Sequence, residues 1–190
     1  MLVPGIASGA PKAHFIPAWG NAPGSPAIET QALKARFIIP MPQSHSQVII
    51  HIIFSTKNRE PSIDRDLRPR LHGYLATVGR DKGSEVYRVG GVADHVHILA
   101  TLSRTVSQAE LLEEIKKHSS RWVKEIDSKY AGFAWQRGYG AFSIGRDECD
   151  EKIQYIDGQE DHHRTVTFQE EYRDFLKKHG IEFDERYVWD

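Results

Sequence analysis

Asp94-His95-Val96-His97-Ile98-Leu99-Ala100 reads as a β-strand with two histidines on one face. Side chains of a strand alternate between faces. Val96, Ile98 and Ala100 therefore point to a core, and His95, His97 and Leu99 point the other way. Two imidazoles two positions apart on a rigid strand can chelate one divalent metal. The same pair can also be two partly exposed sheet histidines, and His-x-His alone does not choose between these readings.

Outward from this strand, Ser84 to Val92 is expected as the preceding strand, ending at Gly90-Gly91. The connection is tight, so the two strands form an antiparallel hairpin. Gln47 to Thr56 is β-branched and apolar almost throughout, the composition of a buried strand. Lys57-Asn58-Arg59-Glu60-Pro61 ends it. Arg65 to Gly79 carries Leu67, Leu71, Tyr74 and Leu75 on one helical stripe. Ser107-Gln108-Ala109-Glu110 is a capping box that opens a long helix. Its apolar side holds Leu111, Leu112, Ile115, Trp122, Val123 and Ile126. Its other face carries Lys116, Lys117, His118, Arg121 and Lys124. A strand over Tyr139–Ile144 and helices over Asp147–His163 and Thr167–His179 follow, with Gly180 as a stop. The order β-α-β-β-α-β-α-α predicts an α+β fold, a mostly antiparallel sheet with helices packed on it.

The 190 residues are enough for one domain with a real core, expected over residues 45–190. Residues 1–44 are rich in Gly, Pro, Ala and Ser and have neither helical nor strand periodicity, so a disordered or loosely packed extension is expected there. The stretch lacks the basic start and continuous apolar run of a secretory signal, and Met41 offers an alternative start of translation. A net charge of -1 means that any polyanion must meet a local basic patch. The single Cys149 excludes an internal disulfide and suits a reducing cytoplasm. No apolar run approaches the roughly 20 residues of a membrane-spanning helix. The ten histidines are unusual and clustered.

A second constellation lies late in the chain. At about 100° per residue, Tyr155, Gln159 and His162 share one side of the expected 147–163 helix, while Ile153 and Ile156 can bury others. A hydroxyl, an amide and an imidazole then face one way. A half-buried tyrosine on an amphipathic helix is the plain alternative.

Four ordered blocks now resemble one family. They are His51 to Arg59, Val92 to His97, Trp135 to Ser143, and Lys152 to Arg164. Together they resemble the single-tyrosine HUH transposases of the insertion-sequence 200/605 type, over about residues 41–190. Gly158 departs from the pattern, because relatives usually carry Asn there. Glycine inside a helix costs about 1 kcal/mol against alanine, so a looser Tyr155 helix is expected.

The resemblance implies a ferredoxin/RRM-like HUH nuclease fold and a definite chemistry. Tyr155 would be the nucleophile, forming a 5′-phosphotyrosine and freeing a 3′-OH. His95 and His97, with Gln159 as third ligand, would hold a divalent metal, Mg²⁺ or Mn²⁺, that polarises the scissile phosphate. The phosphotyrosine keeps the bond energy, so cutting and rejoining need no ATP. The substrate would be single-stranded DNA with subterminal hairpins. The protein would be a homodimer in which Tyr155 of one subunit completes the other's histidine pair.

Lys57, Arg59, Lys116, Lys117, Arg121 and Lys124 are the candidate phosphate contacts, against the plain reading of solvated cations, and Arg104 is a candidate DNA contact at exposed bases. Trp135 and Tyr139 are candidate base contacts. Asp94 is a candidate to orient a histidine. His51 is expected buried and hydrogen-bonded, and His118, His163 and His179 are expected at the surface or in caps. Two other functions share these residues. One is a REP-associated or domesticated relative that nicks DNA hairpins. The other is an RRM-like module without catalysis, which would need exposed aromatics on the sheet face.

Overall fold

The computed structural model describes residues 45–186, 188 and 189. The expected extension over residues 1–44 lies outside the described residues, as do Tyr187 and Asp190 of the tail. Four strands form one sheet: β1 (Ile49–Ser55), β2 (Val86–Gly91), β3 (His95–Thr101) and β4 (Gly140–Ile144). Their order is β2-β3-β1-β4, and every neighbouring pair is antiparallel. Among the described residues five α-helices pack on the sheet: α1 (Leu67–Asp81), α2 (Gln108–Ile126), α3 (Cys149–Asp157), α4 (Gln159–His162) and α5 (Phe168–Lys178). The fold is α+β, as expected, and its first six regular elements make a split βαβ sandwich.

The alternation read from the sequence sorts the two sheet faces. Ile50, Ile52 and Phe54 of β1 join Val96, Ile98 and Ala100 of β3 on one face. There they meet Leu67, Leu71 and Leu75 of α1 and Leu111, Leu112 and Ile115 of α2, all buried. Fully burying each such side chain contributes roughly 1.5–3 kcal/mol. Tyr74 and Trp122 stack with ring centroids 4.5 Å apart and tie α1 to α2. The Ser107 hydroxyl accepts from the Glu110 N–H and starts α2 where the capping pattern placed it.

The other face carries Ile49, His51, Ile53, His95, His97 and Leu99, and it is covered too. Leu99 and Ile49 pack with Cys149 and Ile156 of α3. Ile53 packs with Phe168, Tyr172 and Leu176 of α5. All seven residues of β1 are therefore buried, which is why its sequence is apolar without alternation.

The expected 147–163 helix is not continuous. A short 3₁₀ turn over Arg146–Glu148 leads into α3, Gly158 interrupts the helix at φ -84°, ψ 6°, and α4 is one further turn. The poor helical preference of glycine lands at this break. The last strand begins at Gly140 rather than Tyr139, and β2 spans Val86–Gly91, inside the expected 84–92.

Two glycines set how closely α3 approaches the sheet. A Cβ on Gly90 would lie 2.5 Å from Ile156 Cγ2 and 2.7 Å from the Ile156 carbonyl oxygen. Gly91, at φ 140°, lets the chain turn from β2 into β3. Gly73 in α1 has open space around it. Gly90→Ala is therefore expected to lower stability by about 1–3 kcal/mol, whereas Gly73→Ala raises it by about 0.4–1 kcal/mol. Urea unfolding of the two variants measures both signs.

Candidate active site

β3 delivers His95 and His97 to the face under α3 and α5, and the register sets His97 opposite Ile53 of β1. Both histidines, and His51 beside them, are 0% exposed, so the reading of partly exposed sheet histidines fails. α3 brings Tyr155, half-buried, and α4 brings Gln159, 1% exposed. α5 brings Glu171, 5% exposed. The residues after α4 bring His163, which was expected at the surface or in a cap. It is instead largely buried, with its ring centroid 4.5 Å from that of His95.

Glu171 is the hub. The Tyr155 hydroxyl donates to its Oε1, and the Gln159 amide donates to the same oxygen at 3.1 Å. Its Oε2 faces His97 Nε2 at 3.6 Å, His163 Nε2 at 3.5 Å and His95 Nε2 at 3.9 Å. His162 Nε2 lies 3.5 Å from Oε1.

The outer ring nitrogens settle the tautomers. His95 Nδ1 donates to the Asp94 carboxylate at 2.7 Å, so Asp94 orients a histidine as anticipated. His163 Nδ1 donates to the Val166 carbonyl at 2.7 Å. In the neutral imidazoles both Nε2 atoms then carry lone pairs. Those lone pairs point inward at Gln159 Oε1, 3.3 Å from His95 and 3.0 Å from His163. His97 Nδ1 pairs with His51 Nε2 at 3.0 Å, so His51 is buried and hydrogen-bonded, as expected. His97 Nε2 and Glu171 Oε2 are buried with no hydrogen-bond partner among the described residues. When His97 Nδ1 donates to His51, His97 Nε2 joins the inward nitrogens of His95 and His163 and Glu171 Oε2 as converging acceptors, which a cation would satisfy. Ligand atoms of His95, His97, His163 and Glu171 all lie within 4.8 Å of one another, so these side chains fit a divalent metal.

The cluster is reached from two grooves. One is bordered by Lys152, Tyr155, His162, Phe175 and Lys178. The other is bordered by Arg65, Arg68, Asp94, His163 and Arg164. The Lys152 ammonium sits 4.6 Å from the Tyr155 ring centroid. Burial pushes the Tyr155 phenol up, and the nearby Glu171 carboxylate pushes it further. Burial alone would raise Glu171 too. The His163 and His97 imidazoles and the Tyr155 hydroxyl outweigh that and hold the carboxyl well below the usual carboxylate range.

The expected phosphate contacts do not gather at this cluster. Lys116, Lys117, Arg121 and Lys124 belong to α2, which packs on the sheet face opposite the histidines. Lys116 Nζ is engaged by the carbonyls of Gln136, Arg137 and Gly138 at 3.1, 3.2 and 2.6 Å, and burial lowers its pKa to about 8. Lys57 is exposed just after β1, Arg59 lies 5.6 Å over the Trp189 ring, and Arg104 is exposed after β3. Trp135 packs edge-on to Phe54, and Tyr139 is exposed. The reading of the sequence missed Glu171. Its signal was a carboxylate on the Phe168-Tyr172-Phe175 stripe of α5, where an apolar residue is expected.

Residues 44–159 match the family model described as "Transposase IS200 like". Among solved structures, a putative transposase from Deinococcus radiodurans R1 is 19% identical, with 63% of this chain and 98% of that chain covered and a TM-score of 0.49. A REP-associated tyrosine transposase bound to a REP hairpin is 17% identical, with 66% and 74% covered and a TM-score of 0.49. No curated protein matches the chain.

The buried imidazoles set a pH dependence. Burial lowers His51 well below 6.5 and lowers His97 to about 4. The unfolded chain takes up these protons near pH 6.5 and the folded chain does not, so stability falls as the pH drops below 6.5. His163 opposes this: burial lowers its pKa, but Glu171 more than reverses the effect. In EDTA, the share of His97 is on the order of 2 kcal/mol lost between about pH 7.5 and pH 5. Urea midpoints across that range should fall for the natural protein and fall correspondingly less for His97→Gln.

Proposed function

Because the chain belongs to the IS200-like transposase family, we propose that it cuts and rejoins single-stranded DNA through Tyr155 at a divalent metal held by His95, His97 and Gln159. The observation that carries this reading is the meeting of one phenol with inward-facing imidazole lone pairs and an amide oxygen. A transposase is a DNA-cleaving enzyme, and these are the groups such cleavage needs.

The Tyr155 oxygen attacks phosphorus and forms the phosphotyrosine. The P–O3′ bond breaks, and the leaving 3′-oxygen takes up a proton from water to become a 3′-OH. Tyr155 donates to Glu171 Oε1, which aims the phenolic oxygen, and the phenolic proton passes to water as the bond to phosphorus forms. His95 holds its lone pair inward, and both histidines stand on a strand buried on both sides, so little reorganisation accompanies binding. When bound, Mg²⁺ or Mn²⁺ polarises a non-bridging phosphate oxygen. A 3′-OH from a second strand reverses the step.

The DNA is inferred to be single-stranded with subterminal hairpins. It would enter by the two grooves, whose Lys152, Lys178, Arg65 and Arg164 can meet phosphates, with Lys57 and Arg59 as the outer contacts. Two element ends call for two active sites, hence a homodimer. Within one chain, Tyr155 already lies beside its own His97, with ring centroids 5.9 Å apart. An open sheet platform for stacking bases is not supported, since α3 and α5 cover the histidine face. Among the described residues no helix is long and apolar enough to cross a membrane.

A single-stranded hairpin oligonucleotide with Mg²⁺ or Mn²⁺ provides the test. Tyr155→Phe should remove the covalent protein–DNA adduct on a denaturing gel and leave oligonucleotide binding within about twofold. His97→Ala should reduce cleavage by about a hundredfold or more. An adduct that persists in Tyr155→Phe would sink the assignment.

A further inference from the structure

The residues matching the family end at Gln159, yet the histidine cluster is closed by residues beyond that point. Resting on the metal site proposed above, we propose that Glu171, on α5, is a ligand of the cation held by His95 and His97 and supplies its charge compensation.

Three observations carry this assignment. Glu171 Oε2 is buried with no hydrogen-bond partner among the described residues, and so is His97 Nε2, 3.6 Å away. When His97 Nδ1 donates to His51 Nε2, His97 Nε2 and Glu171 Oε2 are two acceptors facing each other across this gap, with room for one shared cation. The same oxygen also faces the inward nitrogens of His95 and His163 at 3.9 and 3.5 Å.

The second observation is electrical. His95, His97 and Gln159 are neutral ligands, and all are at most 1% exposed. A divalent cation held by these three alone would sit in a low-dielectric pocket with its charge uncompensated, which is strongly unfavourable. Glu171 is the one carboxylate whose oxygen lies among the inward-facing imidazole nitrogens of the described residues. A carboxylate also suits hard cations such as Mg²⁺ and Mn²⁺, whereas two imidazoles and an amide do not favour Mg²⁺.

The third is positional. Glu171 occupies the apolar stripe of α5 between Phe168 and Tyr172, where burying an anion is unfavourable unless it is paired. Its other oxygen is taken by Tyr155 and Gln159. Oε1 is therefore committed to the phenol and the amide, and Oε2 is free for the cation.

Isothermal titration of the full-length protein with Mn²⁺, without DNA, tests the assignment. Glu171→Gln keeps the size of the side chain and removes its charge, and should weaken Mn²⁺ binding at least about tenfold while circular dichroism in EDTA stays native. If Glu171→Gln does not fold, Glu171→Asp keeps the charge on a shorter arm and should weaken binding at least about threefold. His97→Ala is the reference. Mn²⁺ uptake that His97→Ala abolishes but a folded Glu171 variant leaves unchanged overturns the role of Glu171 and spares the histidine site. No uptake by the natural protein, or uptake indifferent to His97→Ala, overturns both.

Discussion

A single buried carboxylate ties the site layer of this protein together. Glu171 touches Tyr155 on α3, Gln159 and His162 on α4, His163 beyond it, and His97 on β3. A lone anion in that position would destabilise the fold by several kcal/mol. Surrounded by a phenol, an amide and imidazoles, it becomes a junction that none of these elements can leave without exposing an unpaired charge. α3, α4 and α5 are short, and their mutual placement depends on this junction as well as on the Ile156, Phe168 and Tyr172 contacts with the sheet.

The sheet divides the molecule into two layers with different tasks. The α1/α2 side is a hydrocarbon core in which Phe54, Ile98, Leu71 and Leu112 are almost wholly buried. The α3/α5 side mixes apolar contacts with histidines, and it is close-packed only where glycine permits. Gly90 lets the Ile156 backbone lie against β2, which holds Tyr155 near the histidine pair. Dense packing on one side keeps β1 and β3 rigid, and rigidity aims the imidazoles on the other. Chemistry that moves a phosphoryl bond from one oxygen to another gains most from groups already aimed before substrate arrives.

Family membership and site geometry bear on different levels of the function. Membership carries the activity, that of a transposase. The geometry speaks to how Tyr155, the imidazoles and Glu171 could share the work. The residues that close the cluster, His163 and Glu171, stand outside the segment that the family model matches.

The strands β1 and β3, the helices α1 and α2, and the pairing of Tyr155 with Gln159 were legible in the chain. β1 showed as an unbroken β-branched apolar run, and the others as period two or period 3.6 over a short stretch, which backbone geometry alone enforces. The break at Gly158 was foreshadowed by its poor helical preference, but not as a full interruption. What tertiary structure alone decided is convergence. It put α2 and its cations in the layer opposite the histidines, drew His163 inward, and set Glu171 against His97, 74 positions earlier in the chain. No local period encodes which face of a sheet a helix will cover, because that depends on which apolar stripes are left to be buried once all the elements are present.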